Sequence, residues 1–129
     1  MPELALKKAR PKHLNLMVIR LPLPGIMSIL HRVSGAGLFL MLPFLIYLLQ
    51  LSLESPQSFL SFKDVVGNPF AKLILLGLMW AYLHHFCMGI RILLIDMGIG
   101  VDLKPARGSA WAVLVVSLSL TAILGAKLW

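Results

Sequence analysis

Two short stretches of this sequence carry polar side chains set into otherwise apolar surroundings. The first is Ser28-Ile29-Leu30-His31-Arg32-Val33-Ser34-Gly35. Ser28 and Arg32 are four residues apart, so on a helix they share a face. His31 lies three residues after Ser28 and borders that face. A hydroxyl donor beside a guanidinium can hold a carbonyl or a carboxylate, because Arg stays charged and presents a forked set of donors. The same residues also have plainer uses. Arg32 can snorkel to lipid phosphates, and Ser28 can cap a helix.

The second stretch is His84-His85-Phe86-Cys87-Met88-Gly89-Ile90-Arg91. Two histidines stand about one and a half turns before Arg91. Ionisable residues inside an apolar span are costly and tend to mark function. Neutral imidazole is a good ligand for haem iron. Gly89 lies four residues after His85 on the same face and leaves room for a flat macrocycle. Met88 could touch such a ring or simply pack. Either histidine could instead only hydrogen-bond a neighbouring helix. Adjacent residues point about 100° apart on a helix, so His84 and His85 cannot both reach one iron from opposite faces. His31, at a helix mouth, is a poor second ligand. Bis-histidine ligation therefore requires a second chain. The single Cys87 excludes a C-x-x-C-H attachment, a C-x-x-C zinc site and an internal disulfide, so any haem is held noncovalently.

The elements that position these groups follow from composition. The chain has 129 residues, 59% hydrophobic and 13% charged, where soluble domains carry about 25% charged residues. Three uncharged runs stand out: Val33 to Leu53, Leu73 to Ile90 and Gly108 to Ala126. Each approaches the roughly 20 apolar residues that cross a bilayer, and backbone in lipid must satisfy its own hydrogen bonds, so the runs are expected as helices. The reading is a single all-α membrane-anchor domain over residues 1–129. It has an N-terminal segment to about residue 25 and transmembrane helices at about 28–53, 70–95 and 107–128. Glu54-Ser55-Pro56 and Gly67-Asn68-Pro69 bound the first connection, and Asp96 to Arg107 makes the second. No secretory signal peptide is evident.

Twelve basic against five acidic residues give a formal charge of +7. No basic stretch is interleaved with aromatics on a polar segment, which argues against nucleic acid. The charges sit at the ends of apolar runs and read as topology. Lys7, Lys8, Arg10, Lys12, Arg20 and Arg32, with Arg91, Lys104 and Arg107, place nine basic residues on one side against Lys63, Lys72 and Lys127 on the other. That split predicts a cytoplasmic N-terminus and an external C-terminus.

Arg10-Pro11, Leu14-Asn15-Leu16 and Ser28 to Gly35 together resemble the N-terminal signature of the cytochrome b556 subunits of bacterial succinate dehydrogenase. His85-Phe86-Cys87-Met88-Gly89-Ile90-Arg91, followed by Asp96 and Gly98, resembles the second signature of that family, H-x-x-x-G-I-R with a downstream Asp. The resemblance covers nearly the whole chain. It implies a four-subunit complex in the bacterial inner membrane. There a flavoprotein subunit with FAD oxidises succinate, and an iron–sulfur subunit passes the electrons on. Two anchor subunits in the lipid hold haem b and the acceptor ubiquinone between them. By the same resemblance this chain is the larger anchor, with its C-terminus periplasmic, and contributes no catalytic residue. His85 is the axial ligand of the haem iron, with the second ligand from the smaller anchor. Ser28 and Arg32 belong to the quinone site, and His31 and Arg32 lie near the haem propionates. Ile92 departs from the family, which usually has His or Phe there, so a propionate contact from that position is missing.

Two other readings use fewer of these residues. A purely structural anchor without haem leaves both polar stretches idle. A transporter subunit needs a polar face across the membrane, and the third span offers only Ser117, Ser119 and Thr121.

Overall fold

The computed structural model describes residue 15 and residues 17–129. Lys7, Lys8, Arg10, Pro11, Lys12, Leu14 and Leu16, used above for topology and for the first signature, lie outside the described residues. Those described form four helices and no strand: α1 (Leu23–Leu53), α2 (Pro56–Gly67), α3 (Pro69–Asp96) and α4 (Leu103–Leu128). Three of them are long and apolar enough to cross a membrane. At 1.5 Å per residue they measure about 46, 42 and 39 Å, longer than the roughly 30 Å hydrocarbon layer. Their ends therefore project into the interfaces, or the helices tilt.

Local chemistry sets the boundaries. Proline occupies the first turn of α1, α2 and α3, where its missing N–H costs nothing. Pro22 is the N-cap of α1, so Ser28 sits in the second turn and is not a cap. The connection expected between the first two spans is itself mostly helix. Ser55 caps α2 through a reciprocal pair with Ser58, each side chain hydrogen-bonding the other residue's backbone N–H. Its twelve residues include Lys63 and Asp64 and are too few to span. Asn68 caps α3, its Oδ1 accepting from the N–H groups of Phe70 at 2.9 Å and Ala71 at 3.4 Å. Gly98, with φ 78°, ends α3 in a left-handed turn. The Ile99 N–H then bonds back to the Leu94 carbonyl at 2.9 Å, the glycine-dependent stop common at helix C-termini.

α3 is the central helix and packs against both α1 and α4. Its seam with α4 is antiparallel. Arg91 meets Ser109 near one end, and Leu76 abuts Gly125 near the other. That register sets His84 level with Ser117 and Trp80 level with Thr121. Met27, Met88, Ala110 and Val113 form the apolar centre. The outward faces are apolar, with Phe39, Leu40, Tyr82, Phe86, Val115 and Ile123 exposed, as expected of helices solvated by lipid or by other helices.

Candidate functional site

The two histidines of α3 lie in opposite surroundings. His84 points into the three-helix interior and is fully buried. Its ring packs against Trp80, one turn earlier, with centroids 5.3 Å apart. Neither of its ring nitrogens makes a well-formed hydrogen bond among the described residues, nor does Trp80 Nε1, and the Met27 backbone is a loose acceptor for the ring. His85 points at α1. Its Nδ1 lies 3.0 Å from the His31 carbonyl oxygen and 3.2 Å from Ser34 Oγ. Ser34 in turn donates its hydroxyl proton to the same carbonyl at 2.9 Å. A carbonyl has no proton to give, so Nδ1–H is the donor of the 3.0 Å bond, and this fixes the tautomer. Nε2 then carries the lone pair, and among the described residues it is not one of the sealed, unpartnered atoms that both nitrogens of His84 are.

Gly35 makes this seat possible. A Cβ at that position would stand 2.7 Å from His85 Cε1. The His31 ring stacks on the His85 ring, with centroids 4.1 Å apart and planes 14° from parallel. His31 is thus not an isolated residue at a helix mouth but a direct neighbour of His85. Gly89, expected to make room for a macrocycle, has only His31 Nε2 near the place of its missing Cβ, at 4.0 Å. Met88 is buried in the core and packs.

An imidazole whose Nδ1–H is held by a backbone carbonyl is oriented for ligation through Nε2, the usual arrangement of metal-bound histidines. His85 therefore fits an axial haem ligand. His84 does not, because a group shared with a second chain cannot reach nitrogens enclosed by this chain's own helices. Among the described residues no cluster of three or more His, Cys, Asp or Glu side chains could hold a bare metal ion.

Ser28 is half-buried and Arg32 exposed on α1. Arg91, counted above as a flanking charge, lies inside α3 and is buried. It donates from Nε to Ser109 Oγ at 2.9 Å and from Nη2 to the Ala106 carbonyl at 3.0 Å. It ties α3 to the start of α4.

The chain matches the family model of the succinate dehydrogenase/fumarate reductase transmembrane subunit over residues 7–124. It belongs to that family. It is 36% identical over 121 residues to the succinate dehydrogenase cytochrome b556 subunit of Coxiella burnetii, covering 93% of this chain and 97% of the relative. The subunits of that name from Rickettsia felis and Paracoccus denitrificans are each 33% identical. The alignments cover 89% and 88% of this chain, and 90% and 88% of those relatives. With three apolar helices, this member of the transmembrane-subunit family is a multi-pass membrane protein. Ile92, the departure noted in the second signature, packs against the Met27–Met88 cluster. The position is used for core packing, which suits an aliphatic side chain. Sequence reasoning missed Ser34 and Gly35 as the seat of His85, although both stand in the first signature. It also missed Arg91 as a clamp. Its signal was a charge with four more apolar residues, Ile92 to Ile95, still to come before Asp96, which is more than a simple flank would have.

Proposed function

We propose that this chain is the larger, haem b-binding membrane anchor of a succinate:quinone oxidoreductase. It helps electrons from succinate reach ubiquinone in the membrane and contributes no catalytic residue of its own. The observation that carries this reading is the seat of His85: a backbone-fixed Nδ1–H, a free Nε2, and Gly35 cleared for the ring. His85 would hold the haem iron from this chain, and a residue of the smaller anchor subunit would hold it from the other. Haem b, when bound, supplies a one-electron redox centre. This chain orients the ligand and keeps its lone pair available. Ser28 and Arg32 bind quinone oxygens at the mouth of the first span, and His31 and Arg32 stand near the propionates. The flavoprotein subunit carries FAD and the iron–sulfur subunit carries the clusters. The assembly lies in the bacterial inner membrane, with this chain's N-terminus cytoplasmic and its C-terminus periplasmic.

Affinity purification of the chain from membranes tests the class. Three further subunits, one carrying flavin, are expected to co-purify, and isolation of the chain without them would reject the reading. In the assembled complex, Ser28→Ala and Arg32→Leu are expected to slow succinate-to-quinone electron transfer. Dye reduction by the soluble subunits should persist. Loss of a charge-assisted hydrogen bond costs about 1.5–3 kcal/mol, roughly a tenfold to hundredfold drop in quinone affinity. Arg32→Lys separates a forked contact from a lipid snorkel, because Lys snorkels as well but cannot replace the fork. Near-normal quinone reduction by the Lys variant would reject a specific role for the guanidinium.

A further inference from the structure

At the opposite end of the molecule from Arg91, α2 and the adjoining ends of α3 and α4 border a half-open hollow of about 450 Å³. That is within the range of pockets that hold small ligands. Its walls are apolar and include Val66, Leu75, Met79 and Leu128. Its charged lining residues are Lys63 and Lys72, two of the three basic residues assigned to this side. Among the described residues no Asp or Glu side chain lines it. The nearest acid in sequence, Asp64, faces a separate groove with Phe44 and Asn68. The Lys72 ammonium lies 5.1 Å from the centroid of the Trp129 ring, which also lines the cavity. That cation–π contact holds the charge at the cavity without neutralising it. An apolar hollow at a helix end, with cations gathered on it and the nearby anion turned away, complements an amphiphile with an anionic head.

We infer that this cavity binds an acidic phospholipid, its phosphate between Lys63 and Lys72 and its acyl chains along the apolar walls. A zwitterionic lipid carries a compensating ammonium that would sit against the two lysines, so the site selects for net negative charge. The inference depends on neither haem nor quinone chemistry and holds whichever leaflet this end occupies.

The test uses the assembled complex, delipidated in detergent and returned to nanodiscs of phosphatidylglycerol and phosphatidylcholine in equal amounts. Native mass spectrometry then counts the retained lipids of each kind. Preferential retention of phosphatidylglycerol is expected in the wild type. The Lys63→Gln/Lys72→Gln variant should lose that preference by roughly tenfold to thirtyfold, since each surface lysine contributes about 1 kcal/mol toward an anionic headgroup. The haem spectrum of the variant should be unchanged and reports that it has assembled. If the double variant fails to assemble, each single variant is expected to lose about fivefold. Equal retention of the two lipids by the wild type would overturn the inference, and so would unchanged selectivity in the variants. A photo-crosslinker placed at Met79 gives an independent readout. Capture of phosphatidylglycerol supports the site, whereas capture of another subunit or of quinone would show a different occupant and refute it.

Discussion

Two neighbouring residues of one helix, His84 and His85, have the same side chain and opposite fates. His84 faces the interior between the three long helices and is enclosed at 0% exposure beside Trp80, with neither ring nitrogen in a well-formed hydrogen bond among the described residues. His85 faces α1, where a carbonyl, a hydroxyl and a missing Cβ define its ring position and leave one nitrogen open. The difference teaches that burial alone does not mark a ligand. A buried polar group without a partner is a cost. A half-buried imidazole with one nitrogen fixed and the other free is prepared for a bond.

The severest way to break the contrast is to fill the space that seats His85. Gly35→Leu places a large side chain where even a Cβ would meet the ring at 2.7 Å. Haem content of the purified complex should fall severalfold, and full haem occupancy would show that the seat is dispensable. The second intervention acts on the other face of α3. Arg91→Leu removes the bonds to Ser109 and Ala106 and should cost about 2–3 kcal/mol. It should appear as a lower thermal midpoint with little change in the haem spectrum of assembled complex. An equal loss of haem would mean that the two faces are not independent. The smallest effect runs the other way. His84→Leu replaces an unpartnered buried imidazole with an apolar side chain of similar size, and removing such a group relieves about 1 kcal/mol or more. Thermal melting of the variant complex should be unchanged or higher, and a clear drop would mean that the His84 ring is held by a group inside this helix bundle, such as the Met27 backbone.

The three spans were legible because lipid imposes one rule on the backbone and on every side chain, and uncharged runs of the right length obey it. α2 was not legible as a helix. Its Lys63 and Asp64 interrupt the apolar pattern, and Ser55-Pro56 and Asn68-Pro69 read equally well as chain breaks or as caps. A preference for His85 over His84 follows from the spacing to Gly89 and from the family signature, but the difference in surroundings between the two rings does not. It lies in contacts between residues about fifty positions apart, His85 with His31 and Ser34, and periodicity along one helix carries no information about the neighbour's register. Gly35 was hidden for the same reason. A glycine in an apolar helix looks like spacing until the ring that needs the space is known. Arg91 was read as topology because a cation near a helix end usually serves that purpose, and only its bonds to the start of α4 show it as a clamp.

The central claim is that His85, and not His84, is this chain's ligand to haem b. The most direct measurement is the reduced-minus-oxidised visible spectrum of the purified complex carrying His85→Ala or His84→Ala, with each assembly checked by its subunit content. The account predicts that His85→Ala abolishes or severely alters the haem b bands and that His84→Ala leaves them largely intact. Loss of the bands in His84→Ala with retention in His85→Ala would contradict it.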